Sequence, residues 1–403
     1  MDATQRKESP DAGTGMKVAL VSHVLPPSWS GQSVMIGRIF RGLSPEEYCL
    51  ISTENYQRKE SQNTGRLPGR YYALPPEPKI PGSGGRLWIL TWVRAFFRGL
   101  NISEILRKEK SKAVIAASGN LIDIPAGWWA GRLAGTEFIP YLFDDYLYQW
   151  PEKQTRAVTR RIEKLIYGRV KRVIVPNEFM QNEIERRHPV KAFIVRNPCS
   201  SLTGGGEPSS RPVYDLDGDI RIIYTGAIYH VNFDAFRNLI AAVEQISPNI
   251  QIHIFSAQPA EWLEANGIQS RQLILHSHTV HEDVMRAQNQ AHILFLPFAF
   301  HSSIPEVITT SAPGKMGEYL ASGVPILAHV PSDSFVSWYL KTHGCGFVVD
   351  VNDIGVLKKA ILALIENAEL RRKLTGSAQE RAGDDFDPLR ATQAFRVAVE
   401  TTV

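Results

Sequence analysis

The sequence predicts an α/β protein in which two Rossmann-like, doubly wound domains face each other across a cleft. Short apolar strands alternate with helices along most of the chain, which is the pattern of parallel sheets covered by helices. The alternation stops at a segment rich in Gly, Pro and Ser, residues 198–212, and starts again after it. A length of 403 residues also exceeds what one ordinary hydrophobic core supports. These three observations favour two domains.

In the first half, five short apolar runs have the length and composition of buried parallel strands. They are residues 17–22, 48–52, 113–117, 138–143 and 172–176. Helical periodicity follows the first strand over residues 34–43, and a long basic helix is predicted over residues 154–170. This alternation predicts one doubly wound sheet for the first half of the chain.

The second half repeats the alternation, and a terminal helix is predicted over residues 388–399. Its predicted strands are residues 220–226, 250–256, 273–276, 293–297, 325–329 and 347–351. The predicted division of the chain is a disordered tail (1–15), a first domain (16–197), a linker (198–212), a second domain (213–385) and a C-terminal helix (386–403).

Composition and charge exclude several classes of protein. The chain is 43% hydrophobic with a formal net charge of +4, so it lacks the concentrated basic stripe that nucleic acid requires. The three cysteines are widely spaced and predict neither a disulfide framework nor a zinc site. The first residues lack the apolar core of a signal peptide, and no apolar run is long enough to span a bilayer. We therefore expect a cytoplasmic globular protein.

The most informative pattern lies in residues 311–328, which predict a loop, a helix, a tight turn and a buried strand. Ser311 is predicted as the N-cap of the helix, and Pro313 fits its first turn. The free N–H groups at a helix start favour a phosphate, to which Lys315 adds a positive charge. Glu318 lies one turn on from Lys315 and so on the same side of the helix. A cation followed by a carboxylate at this spacing predicts a site for a diphosphate and a ribose.

The same segment reads Pro313-x-Lys315-x-x-Glu318-Tyr-Leu-Ala-x-Gly323-x-Pro325, and it resembles the donor-binding segment of retaining glycosyltransferases of the GT-B fold, family four. The resemblance implies that Pro313, Gly314 and Lys315 meet the donor diphosphate and that Glu318 binds ribose. It implies a hexosyltransferase-like enzyme with a nucleoside diphosphate sugar as donor, an alcohol as acceptor, and retention of configuration. No cofactor or metal is expected. In that family the C-terminal helix crosses back onto the first domain.

Two glycine-bearing loops follow the first strand of each predicted domain, at Gly31 and Gly226. Glycine lets a backbone approach a ligand closely, and in the resembling enzymes both loops reach the donor. Those enzymes carry Arg and Lys in the second loop, where this chain has Ala227 and Asn232. The chain therefore lacks two cations that would neutralise the leaving diphosphate. Asn232 is a candidate donor contact. The candidates that could compensate for the missing charge are Lys315, the helix start at Pro313, His230 and Arg196.

Three carboxylates are the catalytic candidates. Asp144 and Asp145 end the strand at 138–143, where paired carboxylates can orient a sugar hydroxyl or cap a following helix. The resembling family often has a histidine there. The first glutamate of its Glu-x7-Glu pattern falls on Thr310 in this chain, and Glu306 lies four residues earlier. The missing glutamate is compatible with front-face retention, in which the leaving phosphate itself serves as the base.

Two other functions stay open at this point, an epimerase of the same fold and a catalytically weak scaffold that binds a nucleotide sugar.

Two basic segments, residues 86–100 and 153–172, each have two interpretations. The simpler interpretation of the first segment is a core-packing helix with snorkelling arginines, and that of the second is a solvated helix face. Transient contact with the inner face of a membrane is the alternative.

Overall fold

The structure is a computed structural model that describes residues 16–56, 65–75, 87–200, 214–215, 218–276 and 281–401. It contains two parallel sheets of seven and six strands with helices on their faces. The predicted α/β class with two doubly wound domains is therefore confirmed. The predicted tail, 1–15, and most of the predicted linker lie outside the described residues.

The first sheet is built on alternating side chains that enter two cores. Its strands are β1 (Val18–Val21), β2 (Tyr48–Ser52), β3 (Arg70–Ala73), β4 (Ala113–Ala117), β5 (Glu137–Tyr141), β6 (Arg172–Val175) and β7 (Lys191–Ile194). They lie in the order β3-β2-β1-β4-β5-β6-β7, and Val18 is in register with Tyr48 and with Ala113. Along β1, Ala19 enters one core and Leu20 the other, since successive side chains point to opposite faces.

Helices cover both faces of this sheet. They are α1 (Gly31–Phe40), α2 (Leu87–Glu109), α3 (Asp123–Ala134), α4 (Lys153–Tyr167) and α5 (Glu178–Arg187), with a short 3₁₀ helix at Pro45–Glu47. Residues of α2 to α5 share the core that contains Ala19, whereas residues of α1 share the core that contains Leu20. The four helices α2 to α5 therefore form one layer, on the opposite side of the sheet from α1.

The second sheet repeats the arrangement in the order β10-β9-β8-β11-β12-β13. Its strands are β8 (Ile220–Thr225), β9 (Ile250–Phe255), β10 (Leu273–His276), β11 (Ile293–Pro297), β12 (Ile326–His329) and β13 (Phe347–Val349). Its helices are α6 (Phe233–Glu244), α7 (Ala260–Ala265), α8 (His281–Asn289), α9 (Pro305–Thr310), α10 (Lys315–Ala321), α11 (Phe335–His343), α12 (Ile354–Glu366) and α13 (Ala368–Asp385). All strand pairs in this sheet are parallel.

The last helix, α14 (Pro388–Glu400), packs on the first domain. Asp387 caps it by accepting hydrogen bonds from two backbone N–H groups. Thr392 Oγ1 donates to Ile39 O at 2.8 Å, and the Phe395 ring lies 5.1 Å from the Phe40 ring. The chain thus leaves the second domain after α13 and ends on the first sheet beside α1.

The structure differs from the sequence-based assignment in two edge strands and in the starts of two helices. Strands β3 and β7 were not predicted; each is an edge strand of four residues that begins with a charged side chain and contains a single buried residue. Helix α1 begins at Gly31 rather than at residue 34. Helix α10 begins at Lys315 rather than next to Ser311. Ser311 instead lies at the end of α9 in an extended conformation, so its predicted role as the N-cap of α10 is wrong.

Each sheet has a switch point where its strand order reverses direction. In the first sheet this is β1, between β2 and β4, and in the second it is β8, between β9 and β11. Ligands of open parallel sheets bind at the carboxyl ends of strands near such points. The loops after β1 and β8 are therefore the places where the fold supports a ligand, and they contain Gly31 and Gly226.

Candidate active site

Helices α1 and α10 bring the two domains together at one place. The Cβ that Gly314 lacks would lie 3.1 Å from Met35 Cε on α1. Gly31, at the start of α1, has open space around it, and Ser30 caps that helix through the Ser33 N–H at 3.2 Å. The first turn of α1 and the start of α10 thus border the same cleft, one from each domain.

Lys315 is a half-buried lysine whose ammonium lies over an aromatic ring. Its Nζ lies 3.7 Å from the centre of the Tyr224 ring. Among the residues that the structure describes, none forms an ion pair or a hydrogen bond with this ammonium. Burial lowers the pKa of Lys315 to about 7, against a weaker opposite effect of Glu318. A bound anion would supply the opposite charge that this desolvated ammonium lacks among the described residues.

Gly226 allows this arrangement. Its φ of +118° lies in the region that favours glycine, and a Cβ there would be 3.0 Å from Lys315 Nζ. Its backbone N–H donates to Phe255 O at 2.8 Å, which fixes the turn after β8. Gly226 therefore holds the loop open for the lysine side chain, and this conformation explains why a glycine stands here.

The loop that contains Pro313 and Gly314 is held by the first domain. Asn177 Nδ2 donates to Thr310 O and Asn197 Nδ2 donates to Ala312 O, both at 2.8 Å. Asn177 follows β6 and Asn197 lies near the domain boundary, so both asparagines reach across to the segment before α10. The position of the Lys315 segment consequently depends on contacts from both domains.

Glu318 joins the domains through a buried ion pair. Arg38 of α1 donates to Glu318 Oε1, and a second guanidinium nitrogen donates to Pro198 O at 2.8 Å. Both charged side chains are largely shielded from water. One carboxylate oxygen is thereby held by the first domain, and within the described ranges the other oxygen accepts no hydrogen bond. The sequence predicted Glu318 but gave no indication of Arg38.

Asn232 is engaged inside the second domain. Its Nδ2 donates to Pro297 O at 2.9 Å, and its Oδ1 accepts from the Tyr229 N–H at 3.5 Å. The side chain thus ties the loop after β8 to the end of β11. A donor contact by Asn232 stays a prediction, while its position shows a clear role in shaping the loop.

The paired aspartates have different surroundings. Asp145 is buried and lies 3.0 Å from Arg187, and it accepts the Leu147 N–H at 2.9 Å. Asp144 is half-buried, and burial raises its pKa. The Asp144 carboxylate adds, behind the larger effect of burial, to the raised pKa of Tyr229 in the second domain. Asp145, in contrast, is part of an ion-pair network within the first domain.

Glu306 lies on α9, on the side of the cleft near α5. It is 3.7 Å from Arg156 of α4, which also donates to Ser303 O at 2.8 Å. A cavity of about 430 Å³ opens beside it. The residues that line this cavity are Asp145, Tyr148, Phe179, Asn182, Glu183, Arg186, Glu306, Thr309 and Thr310. A catalytic role for Glu306 stays a prediction, but its carboxylate does border a space between the domains.

His23 was missed by the sequence analysis. It follows β1 directly, and its Nδ1 lies 3.9 Å from Oδ2 of the buried Asp123, which Arg98 also contacts. Burial lowers the pKa of His23, against the opposing charge of Asp123. Gly119, after β4, makes room for the ring, since a Cβ there would be 2.4 Å from its Cε1. The signal available in the sequence was a histidine at a strand end near the Gly31 loop.

The lowered pKa of Lys315 predicts that a diphosphate binds together with a proton. Lys315 is mostly neutral at pH 8 in the free protein, and a bound anion will favour its charged form. Calorimetry with a nucleoside diphosphate sugar at pH 8 in buffers of different ionisation enthalpy is expected to show uptake of about one proton. Affinity should also fall about tenfold per pH unit above 7.

Lys315→Arg is the matched control, because a guanidinium stays charged throughout this range. It should bind without proton uptake. Binding by the wild type that shows no dependence on the buffer at pH 8 would contradict the assignment of Lys315 to the diphosphate. The diphosphate diester of a nucleotide sugar does not itself titrate here, so the proton must come to the protein.

Two family models match the chain. A model described as glycosyl transferases group 1 matches residues 219–367, and a model described as glycosyl transferase 4-like domain matches residues 30–199. The first covers β8, Gly226 and α10, and the second covers α1 and the strands from β2 to β7. No curated protein matches the chain by sequence.

Solved structures share the fold over nearly the whole chain. Sucrose-phosphate synthase from Thermosynechococcus elongatus has a TM-score of 0.69 and 15% identity, covering 96% of this chain and all of its own. Anabaena HepE in complex with UDP and glucose has a TM-score of 0.66 and 14% identity, with the same coverage. A Listeria monocytogenes protein assigned as a UDP-N-acetylglucosamine 2-epimerase has a TM-score of 0.57 and 14% identity, covering 96% of this chain and 98% of its own.

The family models and the shared architecture lead to one conclusion. Together the two models cover most of both sheets as well as Gly31 and Gly226, and the solved structures, with identities near 15%, show the common fold. The resemblance found in residues 313–325 lies within the group 1 match. The chain belongs to the glycosyltransferases of the GT-B fold, with a 4-like first domain and a group 1 second domain.

Proposed function

We propose that the chain transfers a sugar from a nucleoside diphosphate donor to an alcohol acceptor. The observation that carries the proposal is the ammonium of Lys315, which is desolvated, lacks a counter-ion among the described residues, and lies at the switch point of the second sheet. A diphosphate supplies the missing negative charge. The cation also remains to stabilise the nucleotide as it leaves, when that charge increases.

The other groups at the cleft take positions that suit the rest of the donor. Glu318 has one oxygen held by Arg38, and its other oxygen suits a ribose hydroxyl. Asp144 reaches the cleft from the first domain, where it would orient a hydroxyl of the donor sugar. HepE was solved with UDP and glucose, so uridine donors are the first to test.

We also propose retention of configuration without a metal ion. Thr310 occupies the position of the first family glutamate, and its hydroxyl donates to Glu306 O at 3.1 Å within α9. No carboxylate of that pattern is therefore available as a nucleophile. In the proposed mechanism the leaving phosphate accepts the proton of the acceptor hydroxyl on the same face of the sugar, while Lys315 balances its charge.

Two alternatives lead to different products. An epimerase would convert the donor sugar without releasing nucleoside diphosphate, and the Listeria neighbour gives this alternative its support. A scaffold would bind the nucleotide and leave the donor unchanged, which the absence of cations at Ala227 and Asn232 favours. Both share the donor site with the proposed transferase.

Proton NMR of donor mixtures separates the three functions. The protein is incubated with uridine, guanosine, adenosine and thymidine diphosphate sugars, with a chelator present and a panel of alcohol acceptors. We expect release of one nucleoside diphosphate together with a glycoside of unchanged anomeric configuration. An epimerised donor without release would replace the proposal with the first alternative, and an unchanged donor that binds would replace it with the second.

A further inference from the structure

Helix α2 carries a stripe of exposed apolar side chains on its outer face. Ile89, Leu90, Val93 and Phe97 are 47%, 40%, 45% and 61% exposed. Their spacing places all four on one side of the helix within its first three turns. Single exposed apolar residues are common, but four on one helix face form a continuous patch. These four residues are called the apolar stripe below.

The rest of α2 is firmly packed, so the stripe is a feature of a docked helix. Ala95, Ile102 and Leu106 on the inner face are buried in the core of the first domain. Trp92 and Phe96 pack with their rings 5.7 Å and 5.1 Å from that of Trp129 on α3. One side of α2 is therefore packed on the core, whereas among the residues that the structure describes none covers the apolar stripe on the other side.

Four exposed cations lie in the same helical layer. They are Arg132 of α3 and Arg160, Arg161 and Lys164 of α4, which are called the basic rim below. The Arg161 guanidinium lies 5.7 Å from the Trp88 ring and the Arg132 guanidinium 5.2 Å from the Trp128 ring, so the rim adjoins the aromatic side chains around α2.

No carboxylate neutralises the basic rim among the residues that the structure describes. Between Lys153 and Lys171 the sequence contains a single acidic residue, Glu163. Glu163 is buried and occupied by Arg187 at 2.9 Å and His188 at 3.2 Å. The outer face of α4 is thus a positively charged surface next to the apolar stripe of α2.

We propose that the apolar stripe and the basic rim dock this domain on an anionic lipid surface. Apolar side chains enter the boundary between headgroups and acyl chains, and the neighbouring cations contact anionic headgroups. The charge complementarity selects this occupant, because a second copy of the chain would bring the same uncompensated cations together. In the part of the chain that the structure describes, no helix has both the length and the apolarity for crossing a membrane. Docking would therefore be peripheral.

The topology places this surface near the cleft. In a crossover between parallel strands the helix runs opposite to them, so the first turns of α2 and α4 lie at the carboxyl edge of the first sheet. The apolar stripe occupies those first turns of α2. Resting on the proposed function, this position favours an acceptor alcohol carried by a lipid, presented to the cleft at the membrane surface.

Vesicle co-sedimentation tests the docking without any nucleotide. Vesicles of phosphatidylcholine alone are compared with vesicles that also contain phosphatidylglycerol. Wild type is expected to bind the anionic vesicles more tightly, and added salt should weaken this binding. The double variant Arg160→Gln with Lys164→Gln should bind the anionic vesicles about thirtyfold more weakly, since each cation near an anionic surface raises the affinity by a factor of roughly five. Val93→Ser with Phe97→Ser should remove most of the binding that persists in high salt.

Leu389→Ser with Val397→Ser is the matched control, because these side chains on α14 are also exposed, at 74% and 52%. Thermal unfolding midpoints of all variants verify that each one folds. Equal binding to both kinds of vesicle, no binding to either, or an equal loss in the control would overturn the proposal. So would a dimer in sedimentation velocity that Phe97→Ser dissociates. A protein that docks on vesicles but lacks transferase activity would refute the proposed function alone.

Discussion

Replacing Lys315 with Ala is expected to lower kcat/KM for the donor on the order of a hundredfold to a thousandfold, the usual effect of removing one group that stabilises a leaving charge. The dissociation constant for UDP-glucose should rise as well. Two cations of the family pattern are absent from the loop after β8, where the chain has Ala227 and Asn232. More of the charge stabilisation therefore depends on the one ammonium. Steady-state kinetics and calorimetry measure both quantities.

The same substitution should leave the fold intact or make it slightly more stable. The pKa of Lys315 is below its value in an unfolded chain, so its protonated form opposes folding at neutral pH. The contact with Tyr224 offsets part of that cost. Lys341→Ala is the control, since that exposed lysine pairs with Asp350 in the same domain. Unchanged kinetics in Lys315→Ala, or equal losses in both variants, would contradict the placement of the donor.

Replacing Arg38 with Ala is expected to destabilise the protein by about 3–5 kcal/mol, because it leaves the buried carboxylate of Glu318 without its partner. Nucleotide binding should weaken too, since this pair positions Glu318. Calorimetric unfolding and nucleotide titration measure the two effects. Arg41→Ala is the matched control, because Arg41 is exposed at the end of the same helix.

A double-mutant cycle separates the ion pair from general damage to α1. Glu318→Gln alone should also destabilise the protein, and the double variant with Arg38→Ala should lose less than the sum of the single losses. Strict additivity would show that Arg38 and Glu318 do not interact. Melting of the two domains in separate steps in Arg38→Ala would show how far this contact couples them.

The sequence was sufficient for the features that depend on local pattern. Buried central strands such as β1 and β11 have continuous apolar runs, so their positions could be predicted within a few residues. The segment from Pro313 to Pro325 contains α10 and the turn that leads into β12, and its residue spacing is the basis of the predicted donor region. The edge strands β3 and β7 were not predicted because each is only four residues long and begins with a charged residue.

The features that sequence could not predict are contacts between distant residues. Arg38 and Glu318 are separated by 280 positions, and only the packing of α1 against α10 brings them together. Asn177 and Asn197 likewise reach Thr310 and Ala312 across the domain boundary. The neighbours of a titratable group decide its pKa, so the lowered pKa of Lys315 could not be inferred from its spacing to Glu318.

The two predicted aspartates illustrate the same limit. Both follow β5 in the sequence, and nothing local distinguishes them. In the fold, Asp145 is beside Arg187, 42 residues away, while Asp144 is half-buried and adds to the raised pKa of Tyr229 in the other domain. His23 is a further example, since Gly119 and Asp123, both near the end of β4, form its surroundings.

The most direct test of the central claim is a crystal structure with a bound nucleoside diphosphate, the one that most raises the thermal unfolding midpoint. At a hundredfold excess over its dissociation constant such a ligand should stabilise the protein by about 2.7 kcal/mol. We predict phosphate oxygens within hydrogen-bond distance of Lys315 Nζ and a ribose hydroxyl on Glu318. A nucleotide bound elsewhere, with the Lys315 ammonium still over the Tyr224 ring and free of phosphate, would contradict the account.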